Sequence, residues 1–331
     1  MHIHLHSPAD ETLFALTPAQ WQAALARSGV DAAGLHATFG ADDASFAAAM
    51  RTAEALICDP AVILRQRDGG DAPLAAPHLK LVLATSAGLD RLAPYGWLPK
   101  GATLMNNRGT HGAKASEFAL MALLMLASGI PAMVSDQRAG RWQKRWGHVL
   151  AGRHLVVIGL GTLGGGAAAL AARHGMVITG VRANPAPHPA CARVVATAAL
   201  DSVLPEADML LIACPLTPAT RGLISRARLA LLPRGAGVVN IGRGPVLDQD
   251  ALCDALESGQ LSGAVLDVFD PEPIPPGHRL WQVPNLIISP HTSADDPETY
   301  NAISLDIFLA NLAAWRAGQA LPNRFDPARG Y

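Results

Sequence analysis

Residues 154–164 read H-L-V-V-I-G-L-G-T-L-G, five apolar-leaning residues that run directly into a G-x-G-x-x-G turn. A G-x-G-x-x-G match carries little weight alone in a chain with 31 glycines. Its setting gives it weight: a buried strand precedes it, a helical stretch (163–174) follows, and a second apolar strand (176–182) comes at βαβ spacing. In that setting Gly159 permits the tight turn, Gly161 lets backbone approach a pyrophosphate, and Gly164 lets helix and strand pack closely. The helix N-terminus then faces the phosphates. Further apolar runs at 209–213, 237–241, 264–269 and 285–289 alternate with helical patterns. Strands apolar on both faces give a doubly wound parallel sheet.

Upstream, 2–6 reads as a strand, 18–28 as an amphipathic helix, and 55–58 and 79–84 as further strands, a second α/β unit. The chain has 331 residues, which suggests two domains. Half of it is apolar and only 16% is charged, the balance of a folded protein. With 26 Lys plus Arg against 27 Asp plus Glu, it offers no electrostatic footprint for nucleic acid or an anionic membrane. The N-terminus shows no basic region followed by a long apolar one. Cys58, Cys191, Cys214 and Cys253 share no metal-site or C-x-x-C spacing, so a cytoplasmic protein with reduced thiols is expected. The most apolar stretch, 118–134, holds a Gly and a Pro and reads as a buried or interface helix.

After the second strand of the βαβ unit, an NAD site places Asp or Glu to bond the ribose 2′-OH. Arg182 stands there instead. A guanidinium suits a 2′-phosphate, which favours NADP over NAD. An Arg stacked on adenine or turned to water is the alternative. Arg243, Glu272 and His291 each follow a predicted strand at its carboxyl end, the edge where open α/β sheets bind ligands. Singly, each suits a surface ion or a loop cap. Together they suit hydride chemistry at a secondary alcohol: an imidazole to exchange the hydroxyl proton, a carboxylate to fix its tautomer, and an Arg to hold a carboxylate.

Five ordered phrases extend this pattern: LAGRHLVVIGLGTLG (150–164), CPLTPATRGLI (214–224), VVNIGRGPVLDQDAL (238–252), AVLDVFDPEP (264–273) and LIISPHTSA (286–294). With LVLATSAGLDRL (81–92) and NNRGTHGAKASEFALMALLML (106–126) upstream, the chain resembles the D-isomer-specific 2-hydroxyacid dehydrogenases. The closing RFDPARGY (324–331), with the C-terminal half, resembles their glyoxylate/hydroxypyruvate reductase branch. The resemblance implies catalytic Arg243, Glu272 and His291, with His291 the general acid–base, Glu272 raising its pKa and Arg243 orienting a 2-keto carboxylate. It places the substrate loop on Ser86, Ala87 and Gly88. It puts pyrophosphate contacts on Thr162 and Leu163, and nicotinamide-side contacts on Cys214, Pro215, Thr220, Ile241, Gly242 and Asp267.

The resemblance also implies two α/β domains with a cleft between them: a flavodoxin-like substrate domain (1–103 plus 292–331) and a Rossmann cofactor domain (104–291). It implies a homodimer built on the helix near residues 114–128 and the segment after it, where Trp142 and Trp146 reach the neighbouring subunit. Glu272 stands where the formate dehydrogenase branch carries Gln, which disfavours formate. The short stretch after His291 leaves no room for the regulatory domain of long phosphoglycerate dehydrogenases.

Two other readings stay open. A dinucleotide-sensing corepressor of the same fold retains the same three residues. Alternation of His2, His4 and His6 resembles the metal-binding start of amidohydrolases; against it, Ile3 and Leu5 buried with three exposed histidines is an ordinary first strand. His111 borders the substrate region or is a loop His without a task. Arg65 and Arg67 sense a second anionic group or face solvent. Asp68 to Asp71 reads as a turn.

Overall fold

The computed structural model describes residues 1–67 and 72–328, so the turn expected at 68–71 lies outside the described residues. The chain divides into two compact units, Met1–Thr110 with Asp296–Tyr331, and His111–Asp295. The joints fall a few residues beyond the expected 103/104 and 291/292. One reason is that Thr103–Asn106 forms a strand of the first sheet rather than opening the second unit.

The first unit runs β1 (His2–His6), α1 (Pro18–Ser28), β2 (His36–Gly40), α2 (Asp43–Met50), β3 (Ala55–Cys58), α3 (Pro60–Gln66), β4 (Leu81–Ala84) and β5 (Thr103–Asn106). All pairs are parallel in the order β2-β1-β3-β4-β5, a doubly wound sheet. Thr17 caps α1 through a reciprocal capping box with Gln20, and Pro18 opens it. Because β1 lies inside the sheet, both its faces are covered. Ile3 and Leu5 pack with Trp21 and Phe308, while His4 and His6 meet Phe46 on the other face. The expectation of three exposed histidines is therefore corrected: His4 and His6 are each 1% exposed.

The second unit runs α4 (Gly112–Ala127), α5 (Ile130–Arg138), β6 (His154–Ile158), α6 (Thr162–Arg173), β7 (Val177–Arg182), β8 (Arg193–Ala196), α7 (Leu200–Val203), β9 (Met209–Ile212), α8 (Arg226–Leu231), β10 (Ala236–Asn240), α9 (Gln249–Glu257), β11 (Leu261–Leu266) and β12 (Leu286–Ile288). Its seven parallel strands run β12-β11-β10-β9-β6-β7-β8, the dinucleotide-binding order with one strand added at the edge. The apolar stretch 118–134 is two helices, broken at Gly129 (φ 71°) and bent by 68°. Among the described residues no single helix is long and apolar enough to cross a membrane. The strand expected at 264–269 begins and ends three residues earlier, because Gly263 is a strand residue against which Pro131 of α5 packs. Asp267 thus stands just past the sheet. The chain returns to the first unit with α10 (Tyr300–Arg316), which packs along α1.

Candidate active site

At the end of β6, Gly159 has φ +91°, and a Cβ there would lie 2.8 Å from the Cys214 backbone. A Cβ on Gly164 would come within 1.9 Å of the Gly159 carbonyl oxygen, so only glycine lets α6 lie this close to the strand. Gly161 is different: nothing stands within 4 Å of its would-be Cβ, leaving open space at the helix start. Gly161 supplies no side-chain cap, so among the described residues the first-turn N–H groups of Thr162, Leu163 and Gly164 have no capping partner. A bare helix N-terminus behind a glycine cradle fits a dinucleotide pyrophosphate.

Arg182 ends β7. Its Nη2 donates to the carbonyls of Ala186 and Pro187, and its buried Nε has no partner among the described residues. The guanidinium therefore braces the loop after β7 and is not wholly free for a phosphate. His188 of the same loop lies over Gly165. Beyond β9, Cys214 is buried, and burial pushes its thiol up to about 11, which excludes a thiolate nucleophile at neutral pH. The Thr220 hydroxyl, expected toward the nicotinamide, donates to the Pro215 carbonyl at 2.7 Å and receives Thr217 N–H at 2.8 Å. It pins its own loop. Ile241 is buried, and a Cβ on Gly242 would meet the Cys214 carbonyl oxygen at 2.8 Å.

The three candidate catalytic residues all lie in this unit. Arg243 leaves β10 extended (φ −144°, ψ 143°) between two glycines. Glu272 Oε1 accepts Phe269 N–H at 2.8 Å, and Glu272 Oε2 lies 2.8 Å from His291 Nδ1. Burial alone raises the Glu272 pKa. The bonds from His291 and Phe269 and the charge of Arg243 outweigh that and hold it below the usual carboxylate range. An ionised carboxylate only accepts, so Nδ1 carries the proton and donates. Nε2 is left as the second ring nitrogen.

His291 sits at φ 56°, a left-handed backbone that costs a non-glycine residue about 1 kcal/mol. Asp267 holds it there. His291 N–H donates to the Asp267 carbonyl at 2.9 Å. Asp267 Oδ1 accepts Ser289 Oγ (2.5 Å), Thr292 N–H (2.9 Å) and Ser293 N–H (3.1 Å), and Oδ2 accepts Ser293 Oγ at 2.6 Å. Asp267 was expected to contact the cofactor. Its carboxylate accepts these bonds from the 289–293 turn. The sequence reading missed these anchoring hydroxyls and Asn240; the signal was an Asn two residues before the Gly-Arg-Gly turn.

In the first unit, Ser86, Ala87 and Gly88 follow β4. Asn107 N–H bonds the Ser86 carbonyl, Asn106 Nδ2 the Ala87 carbonyl, and Ser86 Oγ the Gly88 carbonyl. Among the described residues the N–H groups of Ala87 and Gly88 meet no acceptor. Arg65 pairs with Asp43 at 2.6 Å, and Arg67 donates to the Leu92 carbonyl at 2.8 Å, so both serve their own unit. His111, buried in the second unit, lies 3.3 Å from the Ala294 carbonyl oxygen and 3.3 Å from Asp295. The histidines of β1 form a chain: His2 Nε2 and His4 Nδ1 share the Thr38 hydroxyl, and His4 Nε2 lies 3.1 Å from His6 Nδ1. Among the described residues no group of three or more His, Cys, Asp or Glu is arranged for a metal, so the hydrolase reading has no converging ligand set.

A glycine cradle at a bare helix N-terminus, with a carboxylate–imidazole pair and an Arg at the same sheet edge, defines a nicotinamide-dinucleotide oxidoreductase site. The family model "D-isomer specific 2-hydroxyacid dehydrogenase, NAD binding domain" matches residues 120–293, and the chain belongs to that family. Among curated relatives it is 31% identical to the glyoxylate reductase of Korarchaeum cryptofilum, over 75% of this chain and 76% of that protein. Among solved structures it matches a D-isomer specific 2-hydroxyacid dehydrogenase from Xanthobacter autotrophicus in complex with NADPH and MES, with TM-score 0.80 and 29% identity over 99% of each chain. It also matches the NADPH-dependent glyoxylate/hydroxypyruvate reductase of Sinorhizobium meliloti in complex with NADP and sulfate. There the TM-score is 0.80 and identity 25%, over 100% of this chain and 99% of that one. The chain is an NAD(P)-dependent 2-hydroxyacid dehydrogenase, and the resemblance read from its phrases is borne out.

Proposed function

We propose that this enzyme reduces small 2-keto acids of the glyoxylate and hydroxypyruvate kind to 2-hydroxy acids, with His291, Glu272 and Arg243 as its catalytic residues. The observation that carries this reading is the 2.8 Å contact of His291 Nδ1 with Glu272, which commits one ring nitrogen and leaves Nε2 for the substrate oxygen. The nicotinamide supplies hydride to C2 when bound. Protonated His291 holds a proton at Nε2 and gives it to the C2 oxygen. Glu272 keeps Nδ1 protonated and balances the imidazolium charge. Arg243 orients the carboxylate by paired N–H bonds.

The free N–H groups of Ala87 and Gly88 favour the 86–88 turn as a carboxylate-binding loop. The first unit is thus proposed as the substrate domain and the second as the dinucleotide domain. Gly159, Gly161, Thr162, Leu163 and Gly164 are proposed as the pyrophosphate cradle, with Cys214, Pro215, Ile241 and Gly242 lining the nicotinamide side through backbone and apolar surface. Arg182 in place of an acidic residue favours NADP, in line with the NADPH and NADP complexes of the two structural relatives. Met121 and Leu124 on α4, with Trp142 (96% exposed) and Trp146 (87%) beyond α5, support a homodimer on this face. Four unpaired thiols fit a cytoplasmic location.

The test is loss of reduced-cofactor absorbance with NADPH and NADH, run against glyoxylate, hydroxypyruvate, pyruvate and a bulkier 2-keto acid. Turnover confined to the small acids and faster with NADPH is expected. Silence across the panel, with both dinucleotides bound, would overturn the reading in favour of a sensing protein.

A further inference from the structure

We infer that Asn240 is the positioning residue for Arg243, an assignment that rests on the substrate-orienting role proposed for Arg243. Asn240 ends β10 and is fully buried. Its carboxamide spans the turn that follows. Oδ1 accepts Gly242 N–H at 3.0 Å, and Nδ2 donates to the Arg243 carbonyl at 3.1 Å. The backbone on either side of Arg243 is glycine, the least restrained of residues. Tight packing limits where that backbone can go: a Cβ on Gly242 would lie 2.8 Å from the Cys214 carbonyl oxygen, and one on Gly244 would lie 2.0 Å from the Phe269 carbonyl carbon. Packing excludes side chains there, and the turn carries two bonds of its own: Arg243 Nη1 donates to the Gly242 carbonyl at 2.9 Å and Val246 N–H to the Arg243 carbonyl at 3.3 Å. Asn240 adds two that tie the turn to the strand end, one at the Gly242 N–H and one at the Arg243 carbonyl.

The geometry demands a carboxamide. One planar group must accept from an N–H two residues on and donate to a carbonyl three residues on. Aspartate offers two acceptors and would set an oxygen against the Arg243 carbonyl. Serine offers one short hydroxyl. Alanine offers neither bond and leaves a buried N–H unpaired. The Asn240 carbonyl also accepts Asp267 N–H at 3.0 Å, so the Arg243 turn and the His291 anchor start from adjacent strand ends. Asn240 itself acts only through the aim of the Arg243 guanidinium.

The experiment is a double-mutant cycle of Asn240→Ala with Arg243→Lys, read as kcat/KM for glyoxylate and as dinucleotide affinity by fluorescence. Asn240→Ala is expected to raise KM for the keto acid about tenfold, the scale of an unmade buried hydrogen bond, with less change in kcat and dinucleotide Kd preserved. In the Arg243→Lys background the same change is expected to add almost nothing, because the residue it aims is already compromised. Additive losses, or a dinucleotide Kd that weakens in step, would overturn the assignment. Should Asn240→Ala fail to fold, Asn240→Ser and Asn240→Asp carry the same cycle, with Ser expected closer to wild type than Asp. If Arg243→Lys alone changes nothing, the substrate role of Arg243 falls and this assignment with it. A large Arg243→Lys loss with additive Asn240 variants refutes the positioning role alone.

Discussion

Asp267→Ala separates a loop anchor from a cofactor ligand. The carboxylate it removes accepts from two backbone N–H groups and two hydroxyls of residues 289–293. The hydroxyls of Ser289 and Ser293 can turn elsewhere, but the N–H groups of Thr292 and Ser293 cannot. These two unpaired N–H groups, buried at Ser293 and part-buried at Thr292, cost on the order of 4 kcal/mol together. At about 2–4 °C per kcal/mol for a unit of this size, the melting temperature should fall by roughly 8–16 °C. Asp267→Asn keeps one oxygen for the N–H groups, and Ser293 Oγ can reverse to accept, so it should cost only about 1 kcal/mol. Thermal unfolding by circular dichroism reads both variants, and fluorescence titration reads dinucleotide affinity. Turnover should drop in Asp267→Ala, because the turn around His291, whose φ is 56°, loses the carboxylate that anchors Ser289, Thr292 and Ser293. A melting temperature within about 2 °C of wild type, combined with collapsed dinucleotide binding, would refute the anchor and return Asp267 to the cofactor.

Three further outcomes are expected. Gly161→Ala, with open space at its Cβ, should fold normally and weaken dinucleotide binding, whereas Gly164→Ala, 1.9 Å from a carbonyl oxygen, should destabilise the second unit itself; equal melting temperatures would contradict the packing argument. Arg182→Ala should weaken NADPH more than NADH, and proteolysis should report a looser 183–188 loop, since the guanidinium holds the Ala186 and Pro187 carbonyls; equal loss of both dinucleotides would remove the case for NADP. His4 is pushed down to about 4 by burial and then by His6 and His2. The unfolded chain protonates this group below about 6.5, so its stabilising effect is complete above that pH and is lost as pH falls from 6.5 toward 4. The urea midpoint should therefore drop between pH 7 and pH 5, and less so in His4→Gln; an unchanged drop would place the effect on other groups.

The second unit was legible in the sequence because its strands are apolar on both faces and its turn chemistry is carried by glycines with fixed steric tasks. Edge strands were harder. In β2, H-A-T-F-G is half-exposed and polar, and in β8, R-V-V-A is short; neither shows the continuous apolar run of an interior strand. Gly263 lies inside β11 although glycine disfavours strands, because the approach of Pro131 leaves no room for a side chain there. Arg243, Glu272 and His291 could be placed by their positions past strand ends. What could not be read was what their neighbours' side chains are engaged with. Thr220 and Arg182 are polar residues at the expected places that spend hydrogen bonds on their own loops, and the Asp267 carboxylate accepts from the 289–293 turn. Nor does alternation reveal that His4 and His6 are covered, since that depends on β1 being an interior strand.

The central claim is that His291, held by Glu272, transfers the proton in 2-keto acid reduction. The direct measurement is glyoxylate-dependent oxidation of NADPH by the wild-type chain and by His291→Ala, with NADPH affinity titrated in parallel. Loss of nearly all turnover in the variant at unchanged NADPH affinity is the predicted result. Turnover near the wild-type rate in His291→Ala would contradict the account.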